Sequence, residues 1–124
     1  MGIVCPTGNS VAEAWGNAAA GKSGIAPFTL FDTTGMDNQF GGEVKNFDAE
    51  ALFGRREARR MDRFAQLAVF AAQQAVADSG LVIDDSNRYD VGAVIGSGIG
   101  GLSTIYNSAR VFFEKGHRAV SPLM

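Results

Sequence analysis

The chain has 124 residues, of which 46% are hydrophobic and 19% charged, a balance typical of a small globular domain or of part of a larger one and unlike that of a disordered chain. Eleven Lys and Arg against thirteen Asp and Glu leave a net charge of −2, so no global electrostatic force favours nucleic acid or an anionic membrane. A single cysteine, Cys5, and a single histidine, His117, exclude an internal disulfide and a Cys/His zinc site and favour a reducing compartment. No apolar run approaches the roughly 20 residues of a membrane-spanning helix.

The first predicted element is a short helix that begins at a capping box. Ser10 and Glu13 have the spacing of such a box, and Gly21 follows the alanine-rich stretch as a left-handed C′ residue. Residues 16–23, GNAAAGKS, also match the phosphate-loop pattern G-x-x-x-x-G-K-[ST]. A phosphate loop precedes its helix, whereas this match lies at the carboxyl end of one, where the helix dipole repels phosphate. We therefore favour a helix cap with a lysine beside it.

Residues 24–53 show little periodicity and are predicted to form an ordered loop. Pro27 and several glycines interrupt the segment, and a short strand is expected near Gly42 to Lys45. Five aromatic rings recur through the loop and are expected to anchor it: Phe28, Phe31, Phe40, Phe47 and Phe53.

The strongest helical signal covers about Arg55 to Asp78, where apolar residues repeat at spacings of three and four. Its second half is almost entirely apolar, which predicts a helix buried on most sides and stopped by Asp78-Ser79-Gly80. Residues 55–63 carry a net charge of +3, and the rest of the chain carries −5. If the segment is one helix, four arginines share a face, either as a solvated surface or as a docking site for an acidic partner: Arg56, Arg59, Arg60 and Arg63.

The last part of the chain is predicted to be a buried strand from Val91 to Ile95, a glycine turn, and a helix from Leu102 to Glu114 that Gly116 ends. This order indicates an α/β fold. The turn, GSGIGG at residues 96–101, matches the dinucleotide fingerprint G-x-G-x-x-G in the right context. That fingerprint also requires an acidic residue about 20 positions later, and none follows Glu114. We favour glycines that let a strand turn sharply into a helix.

Several blocks, in one order, together resemble the β-ketoacyl-[acyl-carrier-protein] synthases, in particular the type II elongating enzymes. The blocks cover essentially the whole chain: MGIVCPTGNSVAEAW, GKSGI, FDTTG, GGEVKNFDAEALFGRREARRMDRFAQLA, ADSGL, GAVIGSGIGGL and EKGHRAVSP. The resemblance implies a thiolase-like, layered α/β/α/β/α fold made from two similar halves, in an enzyme that is usually a cytoplasmic dimer. Residues 1–124 are expected to be part of the N-terminal half, without the strand that precedes Met1 in relatives.

The resemblance also implies where the catalytic residues lie. The nucleophilic cysteine and two histidines of the family are expected beyond Met124, so no residue of this chain is assigned a catalytic role. Cys5 occupies a position where relatives often have serine, and nothing in the sequence orients His117 toward it as a base. No metal or other cofactor is implied.

Two binding roles are implied instead. The position of Ile99 lines the acyl-chain pocket in elongating synthases, although simple core packing explains an isoleucine there equally well. Four positions correspond to the basic patch that binds the acidic acyl carrier protein: Arg56, Arg59, Arg60 and Arg118. Relatives can carry a second basic residue after the last of these, where this chain has Ala119. The chain is therefore expected to be part of an elongating condensing enzyme or, alternatively, of a non-catalytic partner subunit that keeps the carrier-binding surface.

Overall fold

The structure, a computed structural model, describes residues 1–121, so the last three residues of the expected 1–124 domain lie outside the described residues. The helices are α1 (Val11–Ala19), α2 (Ala49–Phe53), α3 (Arg55–Ala58), α4 (Arg63–Ser79) and α5 (Leu102–Lys115), and His117–Ala119 form a 3₁₀ turn. The strands are β1 (Ile25–Pro27) and β2 (Phe40–Gly42). The chain divides into two compact units. Unit 1 contains Met1–Asp48 and Leu67–Gly92, and unit 2 contains Ala49–Gln66 and Ala93–Met124.

The two ends of α1 are set by local sequence, as predicted. The Glu13 amide donates to the Ser10 hydroxyl at 3.2 Å, and the Glu13 carboxylate accepts from the Asn9 amide at 2.8 Å. At the other end Gly21 has a φ of 66°, its amide donates to Ala18, and the Lys22 amide donates to the carbonyl of Asn17. This is the Schellman pattern of a helix end. The match to a phosphate loop is thus the end of a helix, in agreement with the favoured interpretation.

The small sheet of unit 1 lies slightly earlier in the chain than predicted. Strands β1 and β2 are antiparallel, with Ile25 opposite Gly42 and Pro27 opposite Phe40. The expected strand at Gly42–Lys45 is therefore wrong except at its first residue. The reason is tertiary: a methyl group on Gly41 would overlap the Phe28 ring, so the glycines, which have no Cβ, allow close packing at this register.

The aromatic anchors of the loop are only partly as expected. Phe28 and Phe31 form a tilted ring pair at a centroid distance of 4.9 Å, and Phe47 contacts Phe70 of α4 edge to face at 5.5 Å. These distances are typical of favourable aromatic pairs. The Phe40 side chain remains exposed, and the fifth ring, that of Phe53, lies in α2 rather than in the loop.

The predicted single helix from Arg55 to Asp78 is wrong in its first half, because the chain turns between α3 and α4. The side chain of Gln66 donates to the carbonyls of Ala58 at 2.9 Å and Met61 at 3.1 Å, which satisfies acceptors that an unbroken helix would pair with its own amides. The first bond of α4 then runs from the Gln66 amide to the carbonyl of Asp62. The predicted stop is confirmed: α4 ends at Ser79, and Gly80 has a φ of 68°.

The expected burial of α4 on most sides is also wrong, since no residue of this helix is fully buried by the described residues. One side packs against the first residues of the chain. There the Gln74 side chain bonds Ile3 and Asn9, and a methyl group on Gly2 would overlap the Ala71 carbonyl. The side that carries Val76 is exposed, because the described part of the chain supplies no second layer over it.

The expected strand from Val91 to Ile95 is absent from the described residues, although the turn and helix that follow it are confirmed. A strand needs a hydrogen-bonded neighbour, and none of the residues 1–121 pairs with this segment. The side chain of Val94 is consequently fully exposed rather than buried. Helix α5 ends as predicted at Gly116, whose φ is 82° and whose amide donates to the carbonyl of Phe112.

Candidate functional site

Charge is distributed very unevenly between the two compact units. Unit 2 has eight Lys and Arg against four Asp and Glu, a net charge of +4. Unit 1 has three Lys and Arg against nine Asp and Glu, a net charge of −6. The overall −2 therefore conceals a basic unit that is suited to an acidic partner.

Three of the candidate arginines of unit 2, Arg56, Arg59 and Arg60, lie on and just after α3, and their charged groups remain available. The Arg56 Nε and Arg60 Nη1 atoms lie 3.8 and 3.6 Å from the same Glu57 oxygen, and Arg59 Nε lies 4.0 Å from a Glu50 oxygen. All three arginine side chains are more than half exposed. Arg–carboxylate pairs with strong bonds are about 2.7–2.9 Å long, and exposed pairs contribute little. These guanidinium groups can therefore bind another anion at small cost.

The shared helical face that the spacing predicts is wrong, because α3 ends at Ala58. Arg59 is the residue that caps α3, Arg60 lies in the turn, and Arg63 is the first residue of α4. The structure instead brings Arg56 and Arg60 together through Glu57. Arg118 belongs to the same compact unit, is exposed in the 3₁₀ turn, and has no ion pair within residues 1–121.

Ile99 projects from the glycine turn that precedes α5. Its side chain is 71% exposed, between Gly98 and Gly100, and Gly100 has a φ of 78°. The Ser97 hydroxyl accepts from the Gly100 amide at 3.0 Å and holds the turn closed. A β-branched apolar side chain that faces solvent gains free energy when an apolar group covers it. Its position is therefore suited to an apolar ligand.

A second apolar feature, which the sequence analysis missed, lies farther along α5. A hollow of about 270 Å³ is lined by Ile105, Ser108, Ala109, Phe112 and Val120. The first four of these residues are at i, i+3, i+4 and i+7, the spacing of one helix face. That spacing was the available signal, and it identifies α5 as an amphipathic helix with an uncovered apolar side.

Cys5 lies in unit 1, where its partners are the Thr7 hydroxyl at 3.1 Å and the Gly8 carbonyl at 3.6 Å. It borders a polar cleft of about 210 Å³ whose other lining residues include Asn9, Lys22 and Lys45. The hydrogen bond from the Thr7 hydroxyl lowers the pKa of the Cys5 thiol below its usual value. No described hydrogen bond joins Cys5 to a histidine, so the pairing with His117 gains no support.

This hydrogen bond predicts how the reactivity of Cys5 depends on pH. The thiolate is the nucleophile, so a lowered pKa moves the onset of alkylation to lower pH. Thr7→Val removes the hydroxyl and is expected to raise the pKa of Cys5, which shifts the pH profile of iodoacetamide labelling upward. Thr7→Ser keeps the hydroxyl and is expected to keep the profile. The labelling rate of the Cys5 peptide by mass spectrometry measures both, and superimposable Val and Ser profiles would contradict the assignment.

Residues 1–121 contain neither a membrane-spanning helix nor a cluster of metal ligands. Within residues 1–121 no helix is both long and apolar enough to cross a membrane. The same part of the chain contains no group of three or more His, Cys, Asp or Glu residues that could hold a metal ion.

Comparison with known proteins gives a consistent result. Residues 1–124 match the family described as "Beta-ketoacyl synthase, N-terminal domain". The chain is 43% identical over 124 residues to the 3-oxoacyl-[acyl-carrier-protein] synthase 2 of Synechocystis sp., and 44% identical over 122 residues to the enzymes of the same name from Vibrio cholerae and Staphylococcus aureus. These matches cover 98–100% of this chain and 30% of each relative.

A solved structure is similar as well. The structure titled "The ishigamide ketosynthase/chain length factor" superimposes with a TM-score of 0.78 at 29% sequence identity. The superposition covers 98% of this chain and 30% of that one. The chain thus spans about a third of the length of the relatives it matches.

Proposed function

The chain belongs to the family of β-ketoacyl synthase N-terminal domains, and on this premise we propose that it is part of a 3-oxoacyl-[acyl-carrier-protein] synthase that elongates fatty acyl chains. One observation carries this proposal: the identity of 43–44% to three bacterial synthases extends over nearly the whole chain. The similarity to a ketosynthase structure confirms the thiolase-like α/β class. We assign residues 1–124 to part of the N-terminal half of that fold.

In this proposal unit 2 binds the acyl carrier protein. The carrier is acidic, and unit 2 has a net charge of +4, with long, exposed ion pairs at Arg56, Arg59 and Arg60. The docking surface consists of the four basic residues Arg56, Arg59, Arg60 and Arg118. Ala119 follows the last of these in place of a second basic residue, so most of the electrostatic attraction falls on the arginines of α3 and the turn after it.

The second role that we propose is a wall of the acyl-chain pocket, formed by Ile99. The exposed apolar side chain gains a covering surface when an acyl chain lies against it. The two glycines beside it leave room for the chain, and the size of the residue at position 99 limits how long a chain fits.

The reacting groups belong, in this proposal, to the rest of the parent polypeptide. A cysteine thiolate attacks the acyl thioester and releases the carrier thiol, which leaves the acyl group on the enzyme. Malonyl-carrier protein loses carbon dioxide, and the carbanion, stabilised by two histidines, attacks the acyl-cysteine. The new carbon–carbon bond forms, the cysteine thiolate departs, and the carrier holds a β-ketoacyl chain that is two carbons longer. No step uses Cys5, and no metal or other cofactor takes part.

The proposal extends to assembly and location. We propose a homodimer in the cytoplasm, and two features support the location: the free thiol of Cys5 is compatible with a reducing compartment, and no membrane-spanning helix occurs within residues 1–121.

The test is a condensation assay of the full polypeptide that carries these residues. Radiolabelled malonyl-carrier protein is mixed with an acyl-carrier protein, and both carbon dioxide release and 3-oxoacyl product are followed. The proposal predicts that product forms only when both carriers are present. Carrier binding without product would favour the alternative, a non-catalytic partner subunit, and the absence of both binding and product would contradict each of these functions.

A further inference from the structure

A long-range hydrogen bond in unit 2 connects the arginine turn, residues 59–62 between α3 and α4, to the start of α5, just after the glycine turn of residues 96–101. The Thr104 hydroxyl, in the first turn of α5, donates to the Asp62 carboxylate, 42 residues earlier in the chain. Asp62 lies between Arg60 and the start of α4, and both bonded side chains are partly buried. A carboxylate acceptor makes this a charge-assisted bond, which is stronger than a bond between neutral groups.

The Asp62 carboxylate lies beside the amino end of α5, a helix whose N-cap residue has no side-chain cap of its own. The N-cap residue of α5 is Gly101, which has no side chain to bond the free amides of the first turn. A negative charge at this end is favourable because the helix dipole is positive there. A methyl group on Gly101 would overlap the Asp62 carboxylate in its present position, so a larger residue at position 101 would force this carboxylate to move.

The same contact region fixes the turn that carries Ile99. A Cβ atom on Gly100 would lie 3.9 Å from the Phe64 ring, so that ring packs beside the turn, and Asp62 lies against the next residue. Within the turn itself, the Gly100 amide donates to the Ser97 hydroxyl and holds the backbone in place. The position of Ile99 therefore depends on the bond between Ser97 and Gly100 within the turn and on the contact of Asp62 with Gly101.

We propose that Asp62 and Thr104 form a positioning pair that holds Ile99 in place and thereby sets which acyl lengths the enzyme accepts. The inference rests on the proposed function, because it gives Ile99 its role at the pocket wall. Neither residue touches the acyl chain in this account. Without the bond, the first turn of α5 loses its link to Asp62, the turn that carries Ile99 gains freedom, and the limit on chain length becomes less sharp.

The matched variants Thr104→Val and Thr104→Ser test the pair in the full polypeptide. Valine keeps the shape and removes the donor, whereas serine keeps the donor. The ratio of kcat/KM for a long acyl chain to that for a short one is expected to change about 10-fold in Thr104→Val, the lower end of what a hydrogen bond to a charged group contributes. In Thr104→Ser it is expected to stay at the wild-type value, and the Kd for carrier protein is expected to stay constant in both.

A purely structural role would lower the melting temperature of Thr104→Val and leave this ratio unchanged, which would overturn the proposal. A changed carrier Kd would overturn it too, since the pair would then act through docking. If Thr104→Val does not fold, Asp62→Asn serves instead: it keeps the shape, weakens the bond, and is expected to change the ratio in the same direction by less, and an unchanged ratio would overturn the proposal.

The variant Ile99→Phe, measured in parallel, distinguishes a failure of the positioning pair from a failure of the pocket role of Ile99. If it alters the length profile while Thr104→Val does not, the positioning pair is wrong and the proposed function stands. If neither variant alters the profile, the pocket role of Ile99 fails, and the positioning pair fails with it.

Discussion

Replacement of both Arg56 and Arg60 by glutamate is expected to weaken the binding of acyl carrier protein about 100-fold at low ionic strength. The two guanidinium groups are exposed, and their ion pairs within residues 1–121 are both to Glu57, at 3.6–3.8 Å, which leaves capacity for carboxylates of the partner. Reversal replaces attraction by repulsion at two neighbouring points. It removes no buried contact, so the fold and its melting temperature are expected to remain the same.

The measurement is a titration of the full polypeptide with carrier protein at low and at physiological ionic strength. The matched control is Lys22→Glu with Arg88→Glu, which changes the net charge equally but lies in unit 1. The control is expected to retain binding within about threefold, because neither residue belongs to the proposed docking surface. Equal affinity of wild type and the arginine variant at low salt would reject the docking surface.

Replacement of Ile99 by phenylalanine is expected to lower kcat/KM for long acyl chains about 10–100-fold, whereas short chains are used as before. The phenyl ring is larger than the isoleucine side chain and occupies space that the distal carbons of a long chain need. Because Ile99 is 71% exposed in this chain, the larger side chain strains nothing within the described residues.

The length series is measured with acyl-carrier substrates that differ only in the number of carbons. Ile99→Val is the control: it removes one methyl group, keeps the branched shape, and is expected to leave the short-chain rates alone and the long-chain limit nearly unchanged. An equal loss for all lengths in Ile99→Phe would show a general defect, and an unchanged profile would show that position 99 is not in the pocket wall.

The parts of the fold that follow from the sequence are those fixed by neighbouring residues. The start and end of α1 need only Ser10, Glu13 and Gly21, whose interactions span three to five residues. The end of α5 likewise depends on Gly116 alone. Such signals are complete within a short window, and they were interpreted correctly.

The parts that the sequence did not predict depend on distant partners. The break between α3 and α4 coincides with the bonds of the Gln66 side chain, and β2 takes its register from glycines that pack against Phe28 and Pro6. The hydrophobic periodicity of the sequence does not predict these contacts. The segment from Val91 to Ile95 has the composition of a strand, but composition cannot supply the neighbour that a strand pairs with.

The residues of the candidate site stay a prediction from the sequence, whereas their arrangement required the structure. The positions of the arginines and of Ile99 came from charge counting and from family resemblance, and the structure places all of them in unit 2. The contacts that support these residues do not follow from the sequence, because the bond between Asp62 and Thr104 joins residues 42 positions apart. A helix that lacks its own cap, as α5 does at Gly101, is the only local sign of such a partner.

The most direct test of the central claim is hydrogen exchange on the full polypeptide, first with unloaded carrier protein and then with carrier that bears a long acyl chain. The account predicts that the unloaded carrier slows exchange at Arg55 to Arg60 and around Arg118. The acyl chain is then expected to slow exchange additionally at Gly98 to Leu102. Slowing confined to unit 1, or identical patterns for the two carriers, would contradict the account.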